Sequence, residues 1–231
     1  MDIEPQFKHA CEYAEMGYRV FPVHGITPAG KCTCQGVASA CRYGSPGKHP
    51  RVNEWPGTAT TDRRQILNWA MDFPRSNIAI ATGQNVLVAD YDGDEGRKLA
   101  RLHGLLKDES VPLSITGKGL QAFHRPPPVP VKCAVRVLPG LDIRADRGYV
   151  VVPPSRHISG NVYTWQRPLP EPSQLPPPYS WYPLEKTRYR RPKQQAAGTR
   201  IRTMRAHQFS TPRRRRALDK VQSISSGESP D

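Results

Sequence analysis

Apolar residues set two rhythms along the chain. Phe7, Ala10, Cys11 and Ala14, with Tyr13 less cleanly in phase, recur at helical spacing up to Gly17, which predicts a helix over 7–16. Residues 18–23 then read as a short strand. Between His24 and Trp55 the periodicity lapses into glycines and cysteines, so this stretch is an insertion held by something other than apolar packing. Thr60 or Thr61 caps a helix carrying Ile66, Leu67, Trp69 and Ala70 and ending before Pro74. Strands follow at 77–82 and 85–90, separated by Gly83, and the unbroken run Val86, Leu87, Val88, Ala89 marks a central strand covered on both faces. A helix over 94–106 turns Leu99, Leu102 and Leu105 or Leu106 inward. Further strands are expected at 111–116, 120–124, 131–138, 148–152 and 161–165, the first pair joined through Gly117 and Gly119.

This order of elements predicts an α+β domain with a mixed β-sheet core and helices packed on it. Beyond Arg167 the character changes: seven prolines fall between 168 and 183, and Arg213 to Arg216 run consecutively. We therefore expect a folded unit at 1–182, with an insertion at 30–50, and a basic tail without fixed structure at 183–231. A length of 231 residues suits one well-buried core with extensions. The net charge of +14 favours a polyanionic partner, and 13 Lys/Arg against 4 Asp/Glu in the tail concentrate it there. No apolar run is long enough to span a membrane, and the acidic Met1 to Pro5 start lacks a leader's hydrophobic region, so a cytoplasmic location with no membrane partner is expected.

Five cysteines in such a chain argue against a disulfide framework. Cys11 and Cys133 sit in apolar segments and read as core thiols. Cys32, Cys34, Cys41 and His49 form C-x-C-x6-C-x7-H, a donor set that satisfies tetrahedral Zn2+ in a segment too poor in apolar side chains to fold unaided.

Asp90 and Asp92 end the central strand, where alternation puts both carboxylates on one face, able to share a divalent cation. Asp142 lies between Leu141 and Ile143, a costly place for a charge unless metal, Arg144 or a hydrogen bond compensates it. Arg144 shares that face and can pair with a carboxylate or a triphosphate. Lys118 sits in the glycine turn. Ser155 and His157, after Pro153-Pro154, are candidate phosphate or template contacts, or simply surface residues.

These features resemble, over roughly residues 7 to 166, the bifunctional primase/polymerase N-terminal family of the archaeo-eukaryotic primase superfamily, found in plasmid and phage replication proteins. The resemblance is carried by Gly17 to Val23, the cysteine cluster ending Pro46-Gly47-Lys48-His49-Pro50, Ala59 to Asp62 and Asn77 to Gly83. The Asp90/Asp92 pair, Thr116 to Gly119, and Asp142 through Pro153-Pro154-Ser155 complete it. It implies an archaeo-eukaryotic primase-like catalytic domain acting as a metal-dependent DNA primase/DNA polymerase. Asp90, Asp92 and Asp142 would hold Mg2+ or Mn2+ for nucleotidyl transfer, with two metals about 4 Å apart. It also raises the expectation of structural zinc at Cys32, Cys34, Cys41 and His49. The implied partners are nucleoside triphosphates, a single-stranded or primed DNA template and a separate replicative helicase, since no Gly-x4-Gly-Lys-Ser/Thr motor motif is present.

One position departs from the family. Where Thr-Gly-x-Gly-x-His usually stands, the chain has Gln121, which can donate a hydrogen bond to phosphate but carries no charge. Lys118 is the candidate replacement cation, and His124, on the opposite strand face, is a poor one. A catalytically weakened or inactive nucleic-acid-binding replication-initiation module is the alternative reading.

Overall fold

The computed structural model describes residues 4–34, 41 and 44–187; the Arg-rich run and Tyr189 lie outside them. Pro5 opens helix α1 (Pro5–Glu15), where its missing N–H costs nothing, and Gly17, at φ 96°, follows its end. The face formed by Phe7, Ala10, Cys11, Tyr13 and Ala14 is buried. Strand β1 (Val20–Val23) is buried throughout. Past the insertion come one helical turn, α2 (Trp55–Thr58), and α3 (Arg63–Asp72).

The cap of α3 is Asp62, whose Oδ1 accepts from Arg64 N at 2.9 Å, in place of the expected Thr60 or Thr61. Thr60 is committed elsewhere: its backbone exchanges hydrogen bonds with Val20, and its hydroxyl oxygen accepts from Asp62 N.

Strand β2 (Asn77–Thr82) lies between β1 and β8 (Gly148–Val152) in a three-stranded antiparallel sheet. A six-stranded antiparallel sheet has, in spatial order, β6 (Ala134–Leu138), β7 (Leu141–Arg144), β3 (Leu87–Tyr91), β5 (Leu120–His124), β4 (Leu113–Ile115) and β9 (Thr164–Arg167). Strand β3 is central and covered on both faces, as its composition predicts. Val88 and Phe123 join the core built by α1, α3 and the small sheet. Leu87, Ala89 and Tyr91 face a second core with Leu120, Ala122, Leu141 and Ile143. Strand alternation therefore places Asp90 on the Val88 face, the side of the three-stranded sheet.

Three further expectations change. Every named strand pair is antiparallel, so the sheet core is not mixed: short turns at 116–119 and 139–140 fold β4 directly onto β5 and β6 onto β7. The helix after β3, α4 (Gly93–Leu102), stops early because Gly104 turns left-handed at φ 73°; Leu105 re-enters the core on a separate 3-10 turn, and Leu102 is 77% exposed. The last strand begins at Thr164 because Arg156 to Val162 close a loop of their own, with His157 N donating to Asn161 O and Tyr163 N to Ser155 O.

The proline-rich stretch after β9 packs back on the domain. Tyr182 is buried, its hydroxyl 2.9 Å from that of Tyr91 and 3.2 Å from His124 Nε2. His124 lies wholly in this core, and burial pushes it down to about 4, so it is neutral and structural at physiological pH. Trp181 stacks on His103 at 3.8 Å between centroids. No helix among the described residues is long and apolar enough to cross a membrane.

Candidate active site and metal centre

Register builds the site. Across adjacent strands β7, β3, β5 and β4, Asp142 pairs with Asp90, Asp90 with Gln121, and Gln121 with Ser114. Cross-strand partners share a face, so the four side chains form one polar row. Asp92 lies just beyond β3 at the N-cap of α4; it is exposed and its side chain makes no capping bond.

The middle of this row, Asp90 and Gln121, opens into a cavity of about 360 Å3 lined by residues of both sheets. Asp90, Asp92, Gln121 and Arg144 line it, together with Lys48 from the insertion, Arg147, Tyr149 and Tyr163. Arg144 Nη2 donates to Asp142 Oδ2 at 2.7 Å, and its Nε lies 3.7 Å from Asp90 Oδ2. The other Asp142 oxygen accepts from Arg136 N at 2.7 Å. Two carboxylates, those of Asp142 and Asp90, thus converge on one guanidinium within ion-pairing reach, with Asp92 lining the same cavity. The consequence shows at Asp90, whose side chain is 15% exposed: burial first, then the Asp92 charge, push it up to about 7, against the pull of Arg144 and Lys48. Two carboxylates on one wall of this cavity, Asp90 and Asp92, fit a hard divalent cation with oxygen ligands.

The hairpin turn is shaped by the same neighbours. Thr116 Oγ1 accepts from Gly119 N at 2.9 Å. A Cβ on Gly119 would strike the Tyr91 carbonyl next to Asp92, and one on Gly117 would strike the His157 ring. Only glycine lets the turn pack so closely under the acidic strand end.

The candidate residues divide accordingly. Asp90, Asp92, Gln121 and Arg144 are brought together, and Asp142 joins them through register and Arg144. Gln121 Oε1 accepts from Ser114 Oγ at 2.9 Å, which makes its NH2 the remaining polar end. Lys118 and His157 lie outside the cavity lining, at the glycine turn; His157 Nδ1 is 2.9 Å from Ser159 Oγ. Ser155 is fully buried, and its hydroxyl accepts from Ile78 N at 3.0 Å, tying the loop to β2. Sequence reasoning did not place Lys48, Arg147, Tyr149, Tyr163 or Ser114 in the site. The Gly47-Lys48-His49 turn was the one available signal; Arg147, at φ 57°, left none.

In the insertion, one ligand atom each from Cys32, Cys34, Cys41 and His49 lie within 4.8 Å of one another. Cys32 Sγ is 3.3 Å from His49 Nε2 and accepts from Gly47 N at 3.4 Å. Cys34 and Cys41 sulfurs are 3.8 Å apart. Burial pushes the Cys32 thiol up to about 11, so a thiolate here needs a cation beside it. Four convergent soft and imidazole donors fit tetrahedral zinc.

A comparison with curated proteins gives no match. The family model described as bifunctional DNA primase/polymerase, N-terminal, matches residues 10–178, well over half of the chain. The polar row, the glycine turn and the Cys3His cluster all fall inside that span, and the chain belongs to the bifunctional DNA primase/polymerase N-terminal family, which supports a nucleotidyltransferase type of activity in general.

Proposed function

We propose that the chain is a DNA primase/DNA polymerase that performs template-directed nucleotidyl transfer from nucleoside triphosphates. Asp90, Asp92 and Asp142 hold Mg2+ or Mn2+, and Cys32, Cys34, Cys41 and His49 hold a structural Zn2+. The observation that carries this reading is the single cavity in which Asp90 and Asp92 face Arg144, with Asp142 one strand away. A bound divalent cation supplies Lewis-acid polarisation of phosphate oxygens and activation of the attacking hydroxyl. The chain's own residues do the rest. Arg144 keeps the carboxylates compensated and offers charge to phosphate oxygens, and the Gln121 amide donates a hydrogen bond without a proton to exchange. Lys118 and His157 border the approach at the glycine turn. Ser155 acts through β2, by fixing the loop that carries His157.

The partners are nucleoside triphosphates and a single-stranded or primed DNA template, with the basic tail at 183–231 adding salt-dependent, sequence-independent affinity. Unwinding falls to a separate replicative helicase, and the setting is plasmid or phage replication. The alternative, a nucleic-acid-binding replication-initiation module with weakened chemistry, draws on Gln121 and on its tether to Ser114.

The test is incorporation of labelled nucleotides by the purified full chain on single-stranded and primed DNA, with Mg2+ or Mn2+. Metal-dependent product is expected. Tight template binding with no product under either metal would move the chain to the alternative.

A further inference from the structure

The cavity holds a cation that the acidic row does not explain. Lys48 comes from the insertion, far from β3 in sequence, yet lines the same wall as Asp90, Asp92 and Gln121. Its charge acts on both Asp90 and His157. Its backbone is fixed from several sides. Gly47 N and His49 Nε2, on either side of Lys48, both contact the Cys32 sulfur, at 3.4 and 3.3 Å. The Lys48 carbonyl accepts from Tyr149 Oη at 3.0 Å, so the turn is also pinned to β8. The Gly47 carbonyl accepts from Asn77 Nδ2 at 2.8 Å, and the His49 carbonyl from His24 N at 2.8 Å. A half-buried lysine so held lines the cavity beside Gln121, which brings no charge.

We propose that Lys48 binds the triphosphate of the incoming nucleotide, and that the Cys3His centre is the device that positions it. The proposal rests on the nucleotidyltransferase reading of the cavity and adds to it a phosphate-binding residue and a task for the insertion beyond its own folding. Lysine serves as a point charge for phosphate and tolerates a range of oxygen positions. Lys118, outside the cavity lining, is not the main source of this charge.

The test is the affinity of the zinc-loaded full chain for a fluorescent dATP analogue with Mg2+, with inorganic tripolyphosphate as competitor. Lys48→Ala and Lys48→Gln should weaken dATP binding roughly ten- to a hundredfold, Lys48→Arg much less, and Lys118→Ala by under about threefold. Zinc content and melting temperature should stay at the wild-type values in the Lys48→Gln protein. Wild type stripped of zinc should lose dATP affinity to a similar extent. A parallel titration with a short oligothymidylate separates the two phosphate sources: its affinity should change little. Unchanged dATP affinity in Lys48→Gln, or equal loss for the oligonucleotide, overturns the proposal. Loss of dATP affinity in Asp90→Ala alone would sink only the role of Lys48, whereas no loss in either variant would remove the nucleotide site itself.

Discussion

If Asp90 holds the catalytic metal as proposed, Asp90→Ala abolishes incorporation: a fall of at least about a thousandfold is expected, because loss of that ligand forfeits several kcal/mol of charge stabilisation. Turnover on a primed template measures it. The fold should survive, since Asp90 is a source of strain. Its carboxyl is held near 7, above the ordinary carboxylate range, by burial and then by Asp92, with Asp142 adding to both. A carboxyl raised in the folded state costs stability once it ionises, so this cost is absent near pH 4, grows as pH rises, and is complete above about 7. Asp90→Asn removes the charge and keeps the shape. In metal-free protein it should be more stable than wild type at pH 8, by on the order of 2–4 kcal/mol, with the gap closing toward pH 4. The same ionisation makes divalent-cation affinity rise with pH through about 7, because the ligand must be deprotonated. An Asp90→Asn protein less stable than wild type at pH 8 would mean that the buried Asp90 charge is not destabilising.

Removal of the zinc proposed at the Cys3His cluster is expected to be the second large effect. The insertion has few apolar side chains to hold it, and its returning end is stitched to β1: His24 N donates to His49 O, and Arg51 N to Pro22 O, at 2.8 and 3.0 Å. Losing the metal therefore frees the turn and also one edge of the small sheet. Structural zinc sites in small modules carry about 10 kcal/mol or more of binding energy. If even half of that reports on this fold, stripping zinc or making Cys32→Ser lowers the melting temperature by about 10–20 °C. Metal analysis should give one zinc per chain. A chain expressed with ample zinc that carries none, and melts identically with and without chelator, would refute the assignment.

The acidic strand end was legible because its cues are local: an apolar run stops at Asp90, and Asp142 interrupts one. The cysteine spacing was legible for the same reason. What stayed hidden depends on pairing across the fold. The row Asp142, Asp90, Gln121, Ser114 exists only through the order β7-β3-β5-β4 and its register. Lys48 enters the cavity only because the turn is tied to Cys32 and Tyr149. Leu102 looked like a core position until Gly104 broke the helix. Ser155 looked like a ligand contact, and the structure shows its hydroxyl bonded to Ile78.

The proposed function stands or falls on metal at the acidic strand end. The most direct measurement is anomalous diffraction from crystals of the full chain soaked with Mn2+ and a nonhydrolysable nucleoside triphosphate. Manganese bound by Asp90 together with Asp92 or Asp142 is expected, with the triphosphate in the cavity lined by Gln121, Arg144 and Lys48. Saturating Mn2+ and nucleotide that leave these carboxylates free of metal would contradict the proposed function.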